Sequence, residues 1–85
     1  MEIAFTQQAL ADLKYWKKVG NKTVQKKISQ LLAEMVINLY EGLGKPEALK
    51  YNLSGKYSRR INLDHRIVYE VIGETIFINS LKGHY

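Results

Sequence analysis

Apolar positions recur in two rhythms along this chain. Ile3-Ala4-Phe5 is a short apolar run of strand length. Thr6 follows it, with a hydroxyl able to accept from a free amide in a helical first turn. Leu10, Leu13, Trp16 and Lys17 then fall at helical spacing, and Gly20 ends the pattern. Asn21 can cap a second helix, whose apolar stripe is Val24, Ile28, Leu31, Leu32, Met35 and Leu39. Two amphipathic helices joined at Gly20-Asn21 make a hairpin, and each needs a surface to cover.

The rhythm then changes. Residues 41–53 show no clear period, and Gly42, Gly44 and Pro46 mark a loop. Ser54-Gly55 turns the chain into three predicted strands. The first covers residues 57–61. The second, residues 66–72, alternates and is rich in β-branched and aromatic side chains. Gly73-Glu74 makes a tight turn into the third, residues 75–81. The predicted order is β-α-α-β-β-β: an α+β fold with two N-terminal helices packed on a small antiparallel sheet. No repeat or linker interrupts it, so residues 1–85 read as a single domain.

Composition narrows the chemistry. There is no cysteine, which removes disulfides, thiolate metal sites and cysteine nucleophiles. One proline and six glycines argue against a disordered chain. No apolar run approaches the ~20 residues of a membrane helix, and Met1-Glu2-Ile3 does not open like a secretory signal. A soluble, cytoplasmic protein is expected.

Charge is more informative. Thirteen Lys and Arg against eight Asp and Glu leave +5, which suits a polyanion or an acidic protein partner. Lys14, Lys17, Lys18, Lys22, Lys26 and Lys27 fall in a stretch without an acid, either as a solvated helical face or as phosphate contacts. Lys45, Lys50, Lys56, Arg59, Arg60 and Arg66 are interleaved with Tyr51, Tyr57 and Tyr69. Cations with flat rings suit single-stranded RNA, although strand tyrosines also serve as packing. Arg59 and Arg60 must point to opposite faces of a strand, so one of them crosses the apolar side, pairs with an acid or faces a ligand. Arg60 and Arg66 sit on neighbouring predicted strands and can converge.

Two histidines, His65 and His84, show no metal-ligand spacing with any His, Asp or Glu cluster. His65 reads as a structural or surface residue of a turn. Phosphodiester cleavage without a metal needs a base for the ribose 2′-hydroxyl, a cation for the phosphorane and an acid for the departing 5′-oxygen. Glu47, Arg66 and His84 fill these roles if the fold gathers them. The plainer readings are a helix-start acid for Glu47, an exposed strand position for Arg66 and a frayed tail for His84.

The segments Gly44-Lys45-Pro46-Glu47-Ala48-Leu49-Lys50, Asn52-Leu53-Ser54-Gly55, Ser58-Arg59-Arg60-Ile61, His65-Arg66-Ile67-Val68-Tyr69 and terminal His84-Tyr85 strongly resemble the YoeB/Txe toxins of the RelE-like toxin-antitoxin superfamily. The resemblance covers the whole chain. It implies a RelE-like, microbial-RNase-like fold and a metal-independent endoribonuclease that cuts mRNA at the ribosomal decoding site, with no cofactor. It places the base, arginine and acid on Glu47, Arg66 and His84. It places phosphate-holding cations on Lys50 and Arg60, and a terminal active-site tyrosine on Tyr85. It also implies an acidic antitoxin of the YefM/Axe type, operator DNA bound only through the antitoxin complex, and leaves room for a homodimer. Lys82-Gly83 departs from the Arg-Tyr often found there: lysine lacks the bidentate fork of arginine, and glycine loosens the backbone that aims His84. The alternative is a non-catalytic homologue that binds ribosome, RNA or antitoxin. Only catalysis needs Glu47, Arg66 and His84 together.

Overall fold

The Thr6 hydroxyl accepts from Ala9 N at 3.2 Å and donates to Asn79 O at 2.9 Å. One side chain thus starts a helix and ties it to the far end of the chain. In the computed structural model, which describes residues 1–83, β1 (Glu2–Phe5) leads through Thr6 into α1 (Gln7–Lys18). Gly20, at φ +70°, reverses the chain, and Asn21 Oδ1 caps α2 (Lys22–Ile37) through Val24 N. A loop leads to β2 (Glu47–Ala48) and a 3₁₀ turn (Tyr51–Leu53). β3 (Tyr57–Arg60), β4 (Arg66–Ile72) and β5 (Thr75–Ser80) complete the fold. No helix among the described residues is long and apolar enough to cross a membrane.

The sheet order is β1-β5-β4-β3-β2. The fold class is the expected one, with two additions. The unpatterned loop contributes β2, which pairs with β3 through Glu47↔Ser58 and Ala48↔Tyr57. Glu47 therefore lies in a strand and not at a helix start. β1 adds on β5 in parallel, so the sheet is mixed. β4 occupies one edge of β5, and the remaining edge accepts β1 running in the same direction.

Helix and strand side chains meet in one core. α2 contributes Val24, Ile28, Leu31 and Met35, close to the predicted stripe, and the strands contribute Ile67, Tyr69, Ile76 and Ile78. On α1 the buried positions are Ala9, Asp12 and Trp16, while Leu10 faces out. Asp12 replaces an apolar residue there because it meets backbone. Its carboxylate accepts from Leu81 N at 2.9 Å, and Trp16 Nε1 donates to Leu81 O at 2.9 Å. Helix α1 thereby satisfies both backbone groups of the residue just past β5.

Candidate active site

Strand alternation sorts the basic residues. Tyr57 and Arg59 share the helix-facing side of β3, and Ser58 and Arg60 share the other. Arg59 is fully buried. Its guanidinium donates to Tyr69 Oη, Leu43 O and Asn38 O, and lies 3.7 Å from Glu34. This is the arginine that crosses the apolar side, and it ties the loop after α2 to the core. Arg60 is exposed and is the register partner of Arg66. The two predicted to converge share the sheet face away from the helices.

On that face Glu47, Ser58 and Val68 lie side by side across β2, β3 and β4. Arg66 Nη1 lies 3.3 Å from Glu47 Oε2 and donates to Ser58 Oγ at 3.0 Å. The Arg66 side chain is only 12% exposed, whereas that of Glu47 is 64% exposed. The guanidinium is therefore held from below and the carboxylate is open to a ligand. Ser58, Val68 and Ser80 form a buried row of small side chains at one register level. Ser58 was not singled out by sequence, though its i, i+2 relation to Arg60 carried the signal.

The other expected site residues are placed differently. Lys50 is exposed beyond the end of β2, with no ion pair to the Glu47–Arg66 pair among the described residues. His84 and Tyr85 lie outside the described residues. The chain leading to them is anchored: Gly83 N donates to His65 Nδ1 at 3.0 Å, and Arg66 N donates to Gly83 O at 3.0 Å. His65 also packs edge-on to Trp16, with ring centroids 4.8 Å apart. It is a structural residue, as its turn position suggested. Gly83 has φ +104°, a conformation that favours glycine. Lys82 turns away to the Tyr15 ring, 3.9 Å from its centroid.

Tyr69 is part of the core, and Tyr57 stacks on it at 6.1 Å, so neither is a free stacking platform. Tyr51, by contrast, is 92% exposed. Burial raises the pKa of Tyr69, and the hydrogen bond and charge of Arg59 oppose that rise. Among the described residues no group of three His, Cys, Asp or Glu side chains could hold a metal ion. A surface groove of about 620 Å³ follows α1 past Leu10, Leu13, Lys14 and Lys17 and carries no acid or histidine among the described residues. A cleft of about 380 Å³ includes Arg60.

The whole-chain likeness decides the family. Residues 5–85 match the family described as "YoeB-like toxin of bacterial type II toxin-antitoxin system". The chain belongs to the YoeB toxin family. Toxin YoeB of Escherichia coli K12 is 39% identical over 85 residues, covering all of both chains. A solved YoeB-YefM complex from Staphylococcus aureus is 50% identical, with TM-score 0.89, covering 100% of this chain and 98% of that one. A solved YoeB dimer from the same organism is 49% identical, with TM-score 0.90 and the same coverage. The two-helix, mixed-sheet architecture is thus that of the YoeB toxins.

Proposed function

We propose that this YoeB-family toxin is a metal-independent endoribonuclease that cuts translated mRNA at the ribosomal decoding site. Residues 1–85 act as one domain. The observation that carries the reading is the Glu47–Arg66 pair, 3.3 Å apart, with its carboxylate exposed, on the sheet face that also carries Arg60. Glu47 takes the proton of the ribose 2′-hydroxyl, whose oxygen attacks the adjacent phosphorus. Arg66 has N–H donors beyond those used by Glu47 and Ser58, and these meet the charge growing on the phosphorane. His84 gives a proton to the 5′-oxygen as its bond to phosphorus breaks. The products are a 2′,3′-cyclic phosphate, which can open to a 3′-phosphate, and a 5′-hydroxyl. Lys50 and Arg60 hold phosphate, and Tyr85 lies at the site.

The net charge of +5 supports an acidic, YefM-type antitoxin as the physiological partner. The S. aureus relatives, solved as a YoeB-YefM complex and as a dimer, support the same partner and a homodimer. Operator DNA is reached only through the antitoxin complex, and the toxin works in the cytoplasm, where ribosomes are.

Mapping 5′ ends on translated message, with and without ribosomes, tests the reading. Glu47→Gln and His84→Ala should each lower cleavage by ~10²–10⁴ while ribosome association persists. Undiminished cleavage by both variants overturns the assignment.

A further inference from the structure

We infer that the cleft beside Arg60 is a binding subsite for a nucleotide of single-stranded RNA flanking the cleaved linkage. This rests on the RNA-cleaving reading above and extends it to residues outside the catalytic pair. Lys27 from α2, Lys45 from the loop before β2, and Arg60 from β3 line the same cleft, and no Asp or Glu lines it. None of the three forms an ion pair among the described residues. Three cation-bearing residues from three separate elements thus line one cleft with no paired acid among the described residues, which suits an external anion.

The backbone holds one of these cations in place against its own preference. Lys45 has φ +50°, a left-handed conformation that disfavours lysine. Its neighbour explains the persistence. Gly44 O accepts from Arg60 N at 2.6 Å, which pins the loop to the end of β3. A Cβ on Gly44 would lie 2.8 Å from Leu31 Cδ2 and 3.1 Å from Arg60 O. Only glycine permits this approach, and the approach sets Lys45 over the cleft.

The other wall is apolar. Leu63 is 84% exposed beside the cations. It sits in a turn held by Asn62 Oδ1, which accepts from Asp64 N and His65 N at 2.9 Å each. The Asn62 amide N–H groups remain for a ligand. Cations, an amide donor and an apolar wall around about 380 Å³ match a phosphate joined to a base. A bare anion would leave Leu63 unused. An acidic peptide would satisfy the charges, but the cleft borders the strand pair of the proposed cleavage site. Arg60 lines it and is the register partner of Arg66. A strand whose scissile phosphate lies on Arg66 can place a neighbouring nucleotide here.

The test uses the full-length Glu47→Gln protein, which should bind without cutting, and a single-stranded RNA hexanucleotide. Its Kd is measured against salt concentration. Lys27→Ala and Lys45→Gly should each weaken binding and reduce the slope of log K against log salt by about 0.7. Lys45→Gly also relieves the left-handed backbone, so its melting temperature should hold or rise while affinity falls. Leu63→Ser should weaken binding without changing the slope. No binding of the hexanucleotide, or unchanged slopes in both lysine variants, overturns the inference. So does a loss confined to ribosome association, which would assign the cleft to ribosomal RNA, or a loss confined to a glutamate-rich peptide, which would assign it to an acidic partner. Cleavage by the unsubstituted protein on translated message is scored separately. Its absence would sink the enzymatic reading even if the hexanucleotide slopes fall as expected.

Discussion

Arg66 Nη1 lies 3.3 Å from Glu47 Oε2 and at the same time donates to Ser58 Oγ. The contact joins residues nineteen apart in sequence and two strands apart in the sheet. Because Glu47 is largely exposed, the ion pair contributes little to stability, on the order of 0–1 kcal/mol. Its consequence is orientation of the guanidinium beneath an open carboxylate.

Arg66→Ala should therefore lower single-turnover cleavage of ribosome-bound message by roughly 10²–10³ with little change in KM, because its charge is needed most at the transition state. Arg66→Lys should recover only part of the rate, since an ammonium that takes over the Nη1 contacts to Glu47 and Ser58 lacks the further guanidinium donors proposed to meet the phosphate. Raised KM with unaltered turnover would assign Arg66 to substrate holding instead.

Arg59 is a stability residue. It joins Glu34, Tyr69 and the carbonyls of Asn38 and Leu43. Arg59→Leu should cost roughly 1–3 kcal/mol, because it removes the donors to the buried Tyr69 Oη and to the partly buried carbonyls of Asn38 and Leu43. Urea unfolding should show a lower midpoint, and amide exchange should rise first in residues 38–44. A midpoint equal to that of the parent would contradict this.

Tyr69 gives the protein an alkaline limit. Its hydroxyl donates to Leu39 O at 2.8 Å and so must keep its proton. Burial holds its folded pKa above the ordinary 10.0. The unfolded chain loses that proton first as pH rises. The stabilisation is complete below the unfolded pKa and is lost as pH climbs through the folded one. Tyr69→Phe removes the titrating group. The stability difference between parent and variant should be flat from pH 7 to 9 and shrink above pH 10. A difference independent of pH would show that ionisation of the phenol is not linked to folding.

The clamp on Leu81 should matter to both folding and turnover. Asp12→Ala leaves the buried Leu81 N–H without its acceptor, at a cost of roughly 1–3 kcal/mol. Because the same segment leads to His84, cleavage at a temperature where the variant is fully folded should also fall. Lys26→Ala, on the exposed face of α2, should change neither stability nor turnover appreciably and should reduce only the salt dependence of ribosome association. Full activity in folded Asp12→Ala would separate the clamp from the chemistry.

Much of this was legible in the chain. The caps at Thr6 and Asn21, the stripe of α2 and the hairpin at Gly73 follow from local rules, and the structure holds them. β2 was not legible, because two residues show no period and become a strand only when β3 lies beside them. Asp12 was hidden for a related reason: an acid on a helix reads as solvent-facing until Leu81, far along the chain, supplies the amide it meets.

By itself the sequence determined the two helices and four of the strands, the surplus of cations, the family, and the rule that Arg59 and Arg60 must part company, since each of these depends on neighbours in the chain. Tertiary structure alone decided which arginine went inward, that Glu47 and Ser58 would both meet Arg66, and that Lys27 and Lys45 would share a cleft with Arg60. Strand register and helix docking set those distances, and both are chosen by the burial of apolar surface over the whole molecule, not by any local segment.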